Sequence, residues 1–247
     1  MKKRCFLISC FSVVTLIISL LLNVNYPKKA AECSNPINAE VTLISEFGLI
    51  RSPDYTHEME IGVVSFKIGD VLYGIGHDCD VQNMSRVHKI HPKFNNGTEN
   101  QVGRVSLGDM AQNDALLGQV IYSGEDGVII STKDLNTNEY QTIEVANKVV
   151  SGEAELLVRD ETRTLNSYDI TVKVVTDNGK ERLDICVTDQ KLLEKTGGIL
   201  QGMSGSPIIQ DGKLVGVLSH VYENDHSQGK GQIIWEIDCL KEYYKSN

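Results

Sequence analysis

The run Gly202-Met203-Ser204-Gly205-Ser206-Pro207 sets a serine on a turn of small residues. Glycines let the backbone bend until its N–H groups converge on one point, with the serine hydroxyl beside it. That combination suits acyl transfer. The Ser204 hydroxyl would attack a carbonyl, and the N–H groups of Gly202 and Ser204 would form an oxyanion hole for the charge that develops. A plain Gly/Ser surface turn has the same composition, so the decisive residues are those that could activate the hydroxyl.

At neutral pH a serine hydroxyl keeps its proton. It needs a base within hydrogen-bond reach and a third group to orient that base. Among the six histidines, His77 stands out. It follows the strand-like run Val71-Leu72-Tyr73-Gly74-Ile75-Gly76, a place from which a side chain can enter a cleft. An ordinary hairpin-loop histidine is the plain alternative. His220 lies inside the apolar run Val217–Tyr222 and reads as a strand histidine that could line the cleft. His57, His88, His91 and His226 lie in polar stretches, and His88 and His91 read as surface residues. Asp189 lies shortly before the serine and is a candidate orienting acid, although it also suits the N-cap of a short helix over Gln190–Lys195. Asp109 and Asp114 lie between His77 and Ser204, where a chymotrypsin-like chain order puts the acid. Asp78 and Asp80 are too near His77 in sequence to face it reliably. Neither Cys-x-x-Cys nor a Cys/His ligand cluster occurs, so no metal site and no cofactor are expected.

The elements that must position these groups are short apolar runs separated by turn residues. Ile61–Ile68 and Val71–Gly76 flank Gly69-Asp70. Gly118–Tyr122 and Gly127–Ser131 flank Asp126-Gly127. Thr142–Ala146, Ala154–Val158, Ile170–Val175 and Leu183–Val187 continue the series, with Asn178-Gly179 as a two-residue hairpin signal. After the serine, Ile208-Ile209-Gln210 and Lys213–Val217 flank Asp211-Gly212. Strands at this spacing predict an all-β sandwich or barrel with few short helices. One helix is expected over Gln190–Lys195, stopped by Gly197-Gly198, and one over Trp235–Tyr244. The polar stretch Phe94–Asn100 is expected to be a loop.

The 247 residues carry a net charge of −9. That balance repels nucleic acid, and no basic stripe interleaved with aromatics is present, so a nucleic-acid role is excluded. Lys2-Lys3-Arg4 precedes an uncharged apolar stretch from Cys5 to Leu22, about long enough to cross a bilayer. Basic residues ahead of it keep that end in the cytoplasm. Residues 1–24 are therefore expected to be an uncleaved signal-anchor, 25–44 a tether and 45–247 an extracytoplasmic globular domain. Cys33, Cys79, Cys186 and Cys239 would lie outside the cell and could pair, but a chain of this size folds without staples.

The segment from Val187 through Pro207, continued by Ile208–Lys213 and Ser219–Asp225, closely resembles the nucleophile segment of SpoIVB-type sporulation serine peptidases. Gly74-Ile75-Gly76-His77 resembles that family's base-bearing segment. The resemblance spans roughly residues 45–240. It implies a chymotrypsin-like double β-barrel with Ser204 as nucleophile, His77 as base and Asp189 as the third member. It also implies a membrane-tethered endopeptidase that acts between the two forespore membranes of endospore formers. Its substrate would be a regulatory protein, and self-cleavage is a further possibility the family offers. Family members typically place a PDZ domain between anchor and peptidase. Such a domain needs about 80 to 100 residues, and the stretch between Asn23 and Thr42 has no room for one. Docking and autoregulation are therefore not carried over. A non-catalytic peptide-binding module on the same fold is the alternative reading.

Overall fold

The computed structural model describes residues 32–34, 40–51, 60–74, 84–98, 101–108, 115–132 and 135–246. The apolar segment expected as a signal-anchor lies outside these residues. Among the described residues, no helix is long and apolar enough to cross a membrane.

Among the described residues, the N-terminal half contributes eleven strands: β1 (Glu32–Ser34), β2 (Glu40–Arg51), β3 (Glu60–Ile68), β4 (Val71–Gly74), β5 (Arg86–Lys89), β6 (Pro92–Asn95), β7 (Arg104–Leu107), β8 (Leu116–Gly124), β9 (Gly127–Ser131), β10 (Thr142–Glu144) and β11 (Lys148–Val150). Strands β2, β3, β4, β9, β8 and β5 follow one another round a ring, and β5 closes it by pairing with β2 from Gly48↔Lys89 to Arg51↔Arg86. Strand β2 has three partners, β10 beside its start, β3 along most of its length and β5 beside its end, and a bulge between Leu43 and Glu46 turns it at Ser45, whose φ is 46°. Strand β10 extends the sheet beside the start of β2, β6 and β7 form a separate hairpin, and β1 pairs with β11. Strand β2 thus begins inside the stretch expected as a tether. The expected loop at Phe94–Asn100 is corrected at its start, because Phe94 and Asn95 pair with Val105 and Arg104 in that hairpin.

The C-terminal half forms a second closed barrel from β12 (Gly152–Arg159), β13 (Leu165–Asp177), β14 (Lys180–Val187), β15 (Pro207–Gln210), β16 (Lys213–Tyr222) and β17 (Asp225–Ile233), in the ring order β12, β13, β14, β17, β16, β15. Alternation is clearest in β13 and β14. In β13 the side chains of Tyr168, Ile170, Val172 and Val174 are buried, while Asp169, Thr171 and Lys173 face outward. Helix α1 (Gln190–Thr196) sits between β14 and β15. A 3₁₀ turn (Ile234–Glu236) leads into helix α2 (Asp238–Ser246). Asp126, at the β8–β9 turn, caps α2 by accepting from the N–H groups of Asp238 and Cys239. Neither Cys186 nor Cys239 forms a disulfide.

One apolar core runs through both halves, from Phe47, Phe66 and Tyr73 to Leu156, Ile208 and Trp235. A second cluster around Ile44, Val64, Leu72 and Ile130 packs with the first-barrel strands alone. Each fully buried residue of this kind contributes about 1.5–3 kcal/mol. A charged cluster bridges the halves. Glu46 of β2 is 2% exposed. It meets Lys89 Nζ at 2.7 Å, Arg159 Nε at 3.2 Å and Arg163 at 3.4 Å, and accepts from the Tyr140 hydroxyl at 3.2 Å. Burial and the Glu46 charge push the Tyr140 phenol well above its ordinary range. Arg159 Nε also donates to the carbonyl of Ser45. A carboxylate so deeply buried is tolerated because cations surround it.

Candidate active site

Helix α1 delivers the chain to Ser204. Asp189 caps its start, accepting at Oδ1 from the N–H of Lys191 (2.8 Å) and of Leu192 (3.2 Å), and at Oδ2 from the N–H of Asp169 (3.4 Å). Gly197, at φ 75°, ends the helix. The following run is fixed from both sides. Ile199 N–H donates to the His226 carbonyl at 2.7 Å, Gln201 N–H to Gly103 at 2.8 Å, and Val105 N–H to Gln201 at 2.8 Å.

The turn itself needs left-handed backbone at Gly202 (φ 99°) and Gly205 (φ 94°), which glycine supplies without strain. Inside it, Met203 N–H donates to Leu200 and Ser206 N–H to Met203. Gly205 N–H donates to Leu218, which anchors the turn on β16. The first barrel grips it as well. Val63 N–H of β3 donates to the Ser204 carbonyl at 2.7 Å, and the Ser65 hydroxyl donates to the Gly205 carbonyl. The N–H groups of Gly202 and Ser204 take no partner among the described residues. Ser204 is half-buried, and its Oγ donates to the Ser219 carbonyl on β16 at 2.7 Å.

Two cavities meet along β16. One, of about 280 Å³, opens at Ser204 between the Ile199–Gln201 segment and Leu218–Val221. The other, of about 580 Å³, shares Ser219 and His220 with it and extends to Asp126, Lys180, Arg182 and Asp238. In the larger cavity burial alone would raise the Asp238 carboxyl, yet the paired Lys180 ammonium holds it below the ordinary range. The same pairing raises Lys180.

Of the residues expected to form the catalytic site, Ser204, Gly202 and Asp189 fall within the described structure. His77 lies outside it, as do Asp109, Asp114, Asp78, Asp80 and His57. Strand β4 ends at Gly74, which pairs with Val64 on one side and Val128 on the other. Position 74 admits only glycine, since a methyl there would stand 2.8 Å from the Val63 carbonyl oxygen. His220 is exposed on β16 and borders both cavities. His226 faces the Glu223 carbonyl at 3.1 Å. His88, on β5, and His91, just beyond it, are half-buried. No group of acidic, histidine or cysteine side chains among the described residues could hold a metal ion. Asp126 reads in sequence as a turn residue only. Its near-complete burial and its grip on α2 depend on a contact across 112 residues, which local pattern does not reveal.

A family model described as SpoIVB peptidase S55 matches residues 72–237. No curated protein matches the chain. Among solved structures, that of GrC shares 11% identity, covers 84% of this chain and 99% of its own, and superposes with a TM-score of 0.51. The active form of the Rv3671c protease from M. tuberculosis shares 15% identity over 80% of this chain and 79% of that one, at a TM-score of 0.49. Neuropsin, a serine protease of mouse brain, shares 13% identity over 81% and 94%, at 0.44.

Proposed function

The chain belongs to the SpoIVB peptidase S55 family and is a serine endopeptidase, and we propose that Ser204 is its nucleophile and His77 its base. In this reading the imidazole takes the Ser204 proton as Oγ bonds to the scissile carbonyl carbon. The C–N bond then breaks, and the imidazole returns the proton to the departing amine. Water repeats the sequence to release the acid and restore the hydroxyl. The N–H groups of Gly202 and Ser204 would steady the oxyanion.

The observation that carries this reading is the double grip on the nucleophile turn, by Leu218 of the second barrel and Val63 of the first. It ties Ser204 to the neighbourhood where β4 ends. Gly74 pairs with Val64, next to the residue that holds the Ser204 carbonyl. The three residues from Gly74 to His77 can span at most about 10 Å, which supports a base within reach of the hydroxyl. Asp189 spends both carboxylate oxygens on backbone N–H groups. We assign it first to positioning, since it fixes the helix from which the nucleophile turn departs. Asp109 and Asp114 are the other candidates for orienting the imidazole.

The family supports a protein substrate in sporulation signalling, with self-cleavage among the options. The basic–apolar N-terminal sequence supports a membrane-anchored, extracytoplasmic site of action. The test is fluorophosphonate labelling of wild type beside Ser204→Ala, His77→Ala, Asp189→Asn, Asp109→Asn and Asp114→Asn. Labelling should vanish in the first variant and fall steeply in the second. Unchanged labelling of Ser204→Ala would overturn the reading, and the aspartate variant that loses labelling names the orienting acid.

A further inference from the structure

The cavity of about 280 Å³ beside Ser204 is closed below by apolar side chains. Ile199, Leu200 and Leu218 are 2%, 1% and 1% exposed. The position of Ile199 is forced. Its N–H is tied to the His226 carbonyl. Gly198 just before it holds φ 122°, and a methyl there would stand 2.3 Å from that same carbonyl oxygen. No side chain can rise from position 198, so the adjoining lining comes from Ile199. Its Cδ1 would lie 2.9 Å from a methyl placed on Gly229 of β17, and Leu218 Cδ1 would lie 3.5 Å from the same methyl. Both methyls therefore converge over Gly229 in the floor of the second-barrel wall. Val221 supplies a half-buried apolar side. Among the described residues, the ionisable groups bordering the cavity are His220 and Glu223, both exposed.

From this lining we propose that the pocket receives the substrate side chain on the acyl side of the scissile bond, and that it selects an uncharged aliphatic residue there. The proposal rests on Ser204 being the nucleophile, because the pocket borders that hydroxyl. A lysine, arginine, aspartate or glutamate would bring its charge against Ile199 and Leu218 with no buried partner among the described residues, which is strongly disfavoured. The solvated carboxylate of Glu223 offsets little of that, since exposed ion pairs are worth about 1 kcal/mol or less. A branched or straight aliphatic chain removes apolar surface from water on both sides, and each methylene it adds changes the rate about 10- to 200-fold.

The test uses the full chain and a set of peptide amides that differ only in the residue before the scissile bond. Leu, Val and Met substrates should be cleaved with kcat/KM at least about 100-fold above Lys, Arg, Asp and Glu substrates. Ile199→Ala should shift the preference about tenfold towards Phe over Val. Because that variant touches the core, Val221→Asp provides the second reading, and it should raise the Lys substrate at least about tenfold relative to Leu. A flat profile, or a preference for a charged residue in the wild type, overturns the proposal. Fluorophosphonate labelling, which places no side chain in the pocket, separates the two levels. Labelled enzyme with a flat profile sinks the pocket assignment alone. An enzyme that neither labels nor cleaves any peptide sinks the nucleophile assignment and the pocket with it.

Discussion

The two barrels reach closure by different routes. In the second, the hairpin strands β13 and β14 alternate cleanly, and Asn178-Gly179 makes the tight turn between them at φ 50° and 79°. In the first, strands β4 and β5 have four residues each, and β2, which carries a bulge between Leu43 and Glu46, closes the ring by pairing with β5. The second barrel carries the Ser204 turn, and β3 of the first holds it from outside through Val63 and Ser65. Beside the shared apolar core, the joint between them includes a few specific polar contacts: Val63 to Ser204, Ser65 to Gly205, and the charges gathered on Glu46.

The largest effect expected from breaking this arrangement lies on the second barrel. Ser204→Ala should lower kcat by about 10⁴- to 10⁶-fold while leaving the urea unfolding midpoint where it was. A matching loss of stability would mean that the hydroxyl serves the fold. Next comes the joint. Glu46→Gln strips the charge from a site that is 2% exposed and leaves Lys89, Arg159 and Arg163 facing one another. It should cost about 3–5 kcal/mol in urea unfolding. A change below about 1 kcal/mol would show that the Glu46 charges add little to holding the barrels together.

Much of the second barrel can be read from residue order, for reasons these contacts make plain. Asn178-Gly179 fixes a hairpin locally. Asp189 and Gly197 mark the two ends of α1 within one short stretch, and the glycines around Ser204 announce their backbone. The joint is not readable in that way. Glu46, Lys89, Arg159 and Arg163 are scattered along the sequence, and only closure of two rings brings them together. The hairpin at Pro92–Asn95 also escapes a local reading, because Pro92, Lys93 and Asn95 look like loop residues. They are strand residues by virtue of pairing with Arg104–Leu107. The pocket floor at Ile199 belongs to the same class, since its partner Gly229 lies on a different strand.

Smaller effects sharpen the role of α1. Asp189→Ala should cost about 1 kcal/mol through loss of the cap, whereas Asp189→Asn, an equally good cap, should cost next to nothing. If Asp189 acts by positioning, Asn restores the kcat/KM that Ala loses. If it touches the imidazole, Asn loses as much as Ala. The smallest effect concerns Asp160, which faces Lys195 at the far end of α1 at 3.6 Å. Burial opposes its ionisation, but donors from Thr162, Thr164 and Asn166 hold its carboxyl below the ordinary range. A carboxyl depressed in the folded state adds stability above its unfolded value of about 4, and that stability fades as the pH falls through the folded value. Wild type should therefore lose more of its urea resistance between pH 6 and pH 3 than Asp160→Asn does. Equal losses would remove Asp160 from the acid response.

The hydrogen bond from Val63 to the Ser204 carbonyl has a consequence for how the molecule can be divided. A protease assembled this way cannot be cut into interchangeable modules at the barrel boundary. Residues 151–247 expressed alone would keep their glycine turn yet lose the outside strand that fixes its pitch. Mixing the two fragments should then restore reactivity only as fast as they dock, so the rate at which activity returns becomes a clock for the assembly itself.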